Sequence, residues 1–126
     1  MKLEFLADGS PDCPLIRLYV FDKSAIVRFG DLVNSLAVGA KANASLDEQP
    51  WIEPLAGCKM ELCLGQRDLG ILQTGYSSFE CVLSGDGWAD IAGLLQPFLE
   101  SDDPGVYSWL NEDGKVSLLL SSTGAW

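Results

Sequence analysis

The hydrophobic period of this chain switches back and forth, and those switches constrain the fold more than any other feature. Lys2–Ala7 and Leu15–Phe21 read as strands: the first alternates, and the second is rich in β-branched and aromatic residues. Ile26, Phe29, Leu32, Val33, Leu36 and Ala37 then recur at the three-to-four spacing of one helix face. Asp22 or Ser24 can cap that helix at its start, and Gly39 can end it. Period two returns at Lys59–Leu64, Leu69–Thr74 and Ser78–Ser84, three strands separated by short turns. A second helical stripe follows at Trp88, Ile91, Leu95 and Phe98. Pro97 lies inside it, lacks an N–H for Gly93, and should kink or end the helix.

Two further strands, Val106–Leu110 and Val116–Leu120, flank Asn111-Glu112-Asp113-Gly114-Lys115, the clearest hairpin signal in the chain. Leu118-Leu119-Leu120 breaks the alternation, so this strand is covered on both faces or meets a partner on one. Pro50 and Pro54 bracket an irregular stretch in which Trp51 pins the loop to the core. Together these signals predict one α+β domain over residues 1–126. Its sheet should be curved and mostly antiparallel, of six to eight strands, with helices near 24–38 and 86–99 packed on one face. With 48% hydrophobic and 21% charged residues the chain can bury a core without cross-links.

Charge constrains function more than fold. The net charge is −10, and there is no histidine. A Ser-His-Asp triad, a Cys-His pair and a histidine metal site are therefore excluded. Bases and acids balance through residue 45. Beyond it Lys59, Arg67 and Lys115 face thirteen acids. A field of that sign repels phosphate backbones, so no nucleic-acid partner is expected, and it attracts a basic protein surface or a cation. Solubility alone is the plain explanation of such a surface.

The opening MKLEFLADG has no export-signal pattern, and no apolar run approaches a membrane span. No membrane association and a cytoplasmic location are therefore expected. Cys13, Cys58, Cys63 and Cys81 should be reduced. They lack zinc spacing and read as small buried hydrophobes.

The remaining motifs carry no recognisable chemistry. Cys13 and Arg17 are too close in sequence for a phosphatase cradle, which needs five residues between them, and Arg17 reads as a surface residue of a strand. No phosphate-binding glycine loop and no nucleophile elbow occurs. The acids at 86–90 and 102–105 lack the alternating ligands of a calcium loop. No catalytic residue, metal or cofactor is therefore assigned.

Tryptophans stand at 51, 88, 109 and 126. Trp88 belongs to a core stripe, whereas Trp109 lies beside the acidic hairpin turn. Exposed tryptophan among carboxylates is a recognition hot spot, although tryptophans more often serve as core or tether. Asp102, Asp103, Trp109, Glu112 and Asp113 are the candidate partner-binding residues.

Leu6–Tyr19, Gln49–Pro54 and Phe79–Leu83 resemble a family of small, uncharacterised bacterial proteins of unknown function. The resemblance spans most of the chain and implies a bacterial source. It carries no activity and no functional residue.

Three classes of function compete. The first is a non-enzymatic acidic protein that binds a basic partner, such as an immunity-type inhibitor or an adaptor. The second is a small-molecule-binding or catalytic domain with a pocket between helices and sheet. The third is a homo-oligomer whose Leu118–Leu120 strand pairs across an interface.

Overall fold

A computed structural model describes residues 1–126. In chain order the elements are β1 (Lys2–Leu6), β2 (Leu15–Tyr19), α1 (Lys23–Ala37), β3 (Asn43–Ser45), a 3-10 turn at Leu46–Glu48 and β4 (Glu53–Pro54). Then come β5 (Lys59–Leu64), β6 (Gly70–Gln73), β7 (Ser78–Leu83), α2 (Gly85–Leu94), α3 (Gln96–Glu100), β8 (Tyr107–Asn111) and β9 (Ser117–Ser121).

The class is α+β, but the single antiparallel sheet expected from the sequence is not formed. Two mixed sheets replace it, one ordered β4-β1-β2-β9-β8 and the other β3-β5-β7-β6. The reason in the first sheet is burial. Leu118, Leu119 and Leu120 are all fully buried, as are Leu15, Ile16 and Leu18 of β2. Strands that are apolar on both faces belong in the middle of a sheet. β9 therefore lies parallel to β2, from Leu15 opposite Ser117 to Tyr19 opposite Ser121. The β1–β2 and β8–β9 hairpins flank this pair as antiparallel neighbours.

In the second sheet β5, β6 and β7 do not form the expected meander. β5 pairs with β7 in parallel, and β6 lies on the far side of β7, antiparallel to it. The connection from Gly65 to Leu69 crosses the end of β7. Gly65 N–H donates to the Leu83 carbonyl at 2.8 Å, and Leu69 N–H donates to the Val82 carbonyl at 2.9 Å. Asp68 fixes the crossing, because its Oδ1 accepts both the N–H and the hydroxyl of Ser84 at 2.8 Å. The Ser84 oxygen in turn accepts the Gly87 N–H and caps α2. A short loop and a helix cap thus share one carboxylate.

The sheets meet at an antiparallel bridge between Ile71 and Val116. Gly70, at φ +78°, lies so close to Gly114 that no side chain fits between the two backbones.

Both helical segments lie where their periodicity places them. Asp22 caps α1 by accepting the Ala25 N–H at 2.9 Å, and Gly39 leaves it at φ +76°. The second segment breaks at the proline: α2 stops at Leu94, and the short α3 begins at Gln96. One cluster of 25 buried residues joins α1, α2, α3 and both sheets. Trp51 is half-buried against Phe29, with ring centroids 6.4 Å apart.

Trp88 is the largest fully buried side chain, and its indole N–H donates to the Cys63 carbonyl at 3.0 Å. It thereby ties α2 to β5. Trp88→Ala empties the core at this junction and leaves that carbonyl without its donor. The expected loss is about 3–5 kcal/mol of unfolding free energy. Urea denaturation followed by far-ultraviolet circular dichroism measures it.

Candidate functional site

The five candidate residues lie along one hairpin, but the structure does not gather them into one cluster. Asp102 and Asp103 occupy the turn that enters β8, whereas Glu112 and Asp113 occupy the turn that leaves it. Eight residues separate Asp103 from Glu112, and the five of β8 alone span about 17 Å. The acids therefore form two poles with a strand between them.

At the first pole the Lys23 ammonium donates to Asp102 at 2.9 Å and holds its carboxyl below the usual range. Both side chains are largely exposed, so the pair can exchange for another cation. Asp103 Oδ1 accepts the Gly105 N–H at 2.8 Å and shapes the turn. These acids border a groove of about 300 Å³ that includes Phe21, Ser101 and Thr123. At the second pole Glu112 is exposed, and Asp113 accepts a bond from the Asn111 side-chain amide at 2.9 Å. Asp113, Lys115 and Leu72 border a groove of about 700 Å³, the larger of the two.

Between the poles runs β8, the terminal strand of its sheet. Leu110 points into the core, whereas Tyr107 and Trp109 share the opposite face. Trp109 is half-buried and meets Trp126 edge-on at 6.4 Å. The Trp126 indole N–H donates to Asp12 at 2.9 Å. Tyr107 and Trp126 remain 48% and 37% exposed, so the aromatic surface between the acids is wet. Sequence reasoning missed Tyr107, Trp126 and Asp12. The spacing of Tyr107 and Trp109 was a legible signal, since residues two apart on a strand share a face. The return of the chain end to that face was not.

Residues 122–126 cover the back of the first sheet. Ser121 hydroxyl donates to the Ala125 carbonyl at 2.6 Å, and Arg17 donates to the Gly124 carbonyl at 2.9 Å. Arg17 is not the free surface residue expected from the sequence. It pairs with Glu4 at 2.6 Å and stacks over Tyr19 at 4.0 Å from the ring centre. Burial, together with the Glu4 charge, pushes the Tyr19 phenol up. This cluster fastens the tail and fully engages the Arg17 guanidinium.

Cys58, Cys63 and Cys81 are poorly suited to nucleophilic work. Cys58 and Cys81 are buried, and loss of hydration pushes them to about 11 and about 12. Cys63 lies half-buried on the outer face of the second sheet. Desolvation pushes it up, and the Glu61 and Glu80 charges act in the same direction. Cys13 is half-exposed, and none of the four is in a disulfide. The reading of all four as buried hydrophobes therefore holds for Cys58 and Cys81 alone.

No family model matches this chain, and neither a curated protein nor a solved structure does.

A disulfide-exchange reagent at pH 8 should label Cys13 and Cys63 in the native protein. Cys58 and Cys81 should react only in denaturant. A thiol pKa raised by folding stabilises the protein below the unfolded value, about 8.5, and that stability is lost as pH climbs toward 11–12. The urea midpoint should therefore be lower at pH 10 than at pH 7.5.

Proposed function

We propose that this protein is a non-enzymatic, acidic interaction protein that binds a basic protein partner along β8. The observation that carries this reading is the arrangement of that strand: an aromatic, solvent-wetted middle between two acidic poles, each beside a groove. Aromatic side chains supply binding energy where water is displaced, and flanking charges set orientation and on-rate. Asp102, Asp103, Trp109, Glu112 and Asp113 act together with Tyr107 and Trp126. Long cationic side chains fit the grooves at the poles. The net charge of −10 supports a basic protein and disfavours a nucleic acid. Free thiols fit a cytoplasmic setting.

The test is affinity capture from a lysate of the source organism at low and high salt. Three forms of the chain are compared. One is unaltered, and the second carries D102K, D103K, E112K and D113K. The third carries D31K, E48K, E53K and D90K, which gives the same net charge at exposed sites elsewhere. The unaltered chain should retain a basic protein at low salt and release it at high salt. The β8 variant should bind it at least tenfold more weakly, with its melting temperature within a few degrees. The third form should keep most of the affinity. Equal binding by the unaltered chain and the β8 variant overturns the reading.

A further inference from the structure

We infer that the partner binds as an extended segment that pairs with the outer edge of β8, which has no strand beside it, and adds a sixth strand to the five-stranded sheet. This rests on the basic-partner reading and specifies its geometry.

The edges of both sheets narrow the choice to β8. At the other end of the first sheet β4 has two residues, Glu53 and Pro54, and proline offers no N–H for pairing. In the second sheet β3 has three residues. The edge strand β6 has four, and Ile71 among them is already bridged to Val116. β9 has β2 on one side and β8 on the other, so the Leu118–Leu120 strand cannot pair across an interface. β8 is the longest terminal strand, with five residues. α2 packs against β8, and Leu110 belongs to the same buried cluster as Trp88 and Ile91.

The chemistry of this edge then defines the occupant. An incoming strand lies beside Tyr107 and Trp109, so its residues on that face should be apolar or β-branched. The bulge between Trp109 and Asn111 twists the edge, so regular pairing runs over Tyr107–Trp109 and the segment bends beyond it. Its two ends then reach the acidic poles. Lysine or arginine is required at both ends, outside a central stretch that lies along the five residues of β8, because eight residues lie between Asp103 and Glu112.

A second copy of this chain does not meet that requirement. Antiparallel pairing of two β8 strands sets the Asp102–Asp103 turn of one copy beside the Glu112–Asp113 turn of the other. Parallel pairing sets like turns together. Acid faces acid at both ends in either direction, which opposes self-pairing. The edge is closed to its own kind and open to a basic strand.

The probe is the peptide Ac-Lys-Arg-Val-Thr-Val-Thr-Val-Arg-Lys-NH2, titrated into the unaltered protein at low salt. Its control has the same sequence with N-methyl groups on alternate backbone amides, which keeps the charge and removes strand pairing. Tryptophan fluorescence gives the affinity, and amide hydrogen exchange reports on β8. The unmodified peptide should bind in a salt-dependent manner and slow exchange in β8 about tenfold at ten times its dissociation constant. The N-methylated peptide should bind at least tenfold more weakly. Equal binding of the two peptides overturns strand addition and leaves a basic partner held by charge and side chains. Absence of binding by the unmodified peptide overturns strand addition, as does a dimer formed through β8 at low salt in light scattering. If D102K/D103K/E112K/D113K binds the peptide as well as the unaltered protein does, the basic-partner reading falls too.

Discussion

Burial of Leu118, Leu119 and Leu120 together is the constraint from which the rest of the first sheet follows. A strand with an apolar side chain at three successive positions exposes at least one of them unless both faces are covered. β9 meets the demand by lying between β2 and β8, with the helices over Leu118 and Leu120. Leu119 faces the other way, so a second cover is needed, and the last five residues supply it. Gly124 at φ +92° lets the tail turn close above Tyr19 and Arg17, where a larger residue has no room. The Arg17–Glu4 pair is the polar fastening of that cover. Trp126 thereby reaches Trp109, and an edge of the core becomes an aromatic surface.

The second sheet depends on a different solution to a connection problem. Five residues carry the chain from β5 past the end of β7 to β6. Such a crossing strands backbone groups unless they find partners. The carbonyls of Val82 and Leu83 accept the N–H groups at its two ends, and Asp68 takes up the N–H and hydroxyl of Ser84. The same bonds start α2 at once, so crossing and helix initiation are one feature.

What was legible in the sequence was local. The stripe from Ile26 to Leu36 gave α1, Pro97 marked the break after Leu94, and Asn111–Gly114 marked the last hairpin. Strand order was not legible, because alternation in Lys59–Leu64 and Ser78–Leu83 fixes which face is buried and says nothing of which strand lies alongside. The three leucines of β9 did signal two-sided burial, but not that the chain end would supply one cover. At the candidate site the acids and Trp109 could be placed along one hairpin from the sequence. The approach of Trp126 to Trp109 had no local signal, whereas the split of the acids between two turns was legible as well, since the expected strand Val106–Leu110 lies between them.

That separation changes what the charge can do. A single acidic cluster attracts any cation and selects weakly among them, and a surface of scattered acids serves solubility. Two poles at a fixed span along an open edge discriminate by length and by the placement of charge. They also guard the edge, because carboxylates at both ends oppose the edge-to-edge pairing that exposed strands invite. Protection and recognition make the same demand here. Whatever neutralises both poles at once removes the barrier to pairing, and a strand with basic ends does so while satisfying the backbone between them. On the proposed reading, the acids that oppose pairing of β8 with a second copy are also the groups that favour a strand with basic ends beside it.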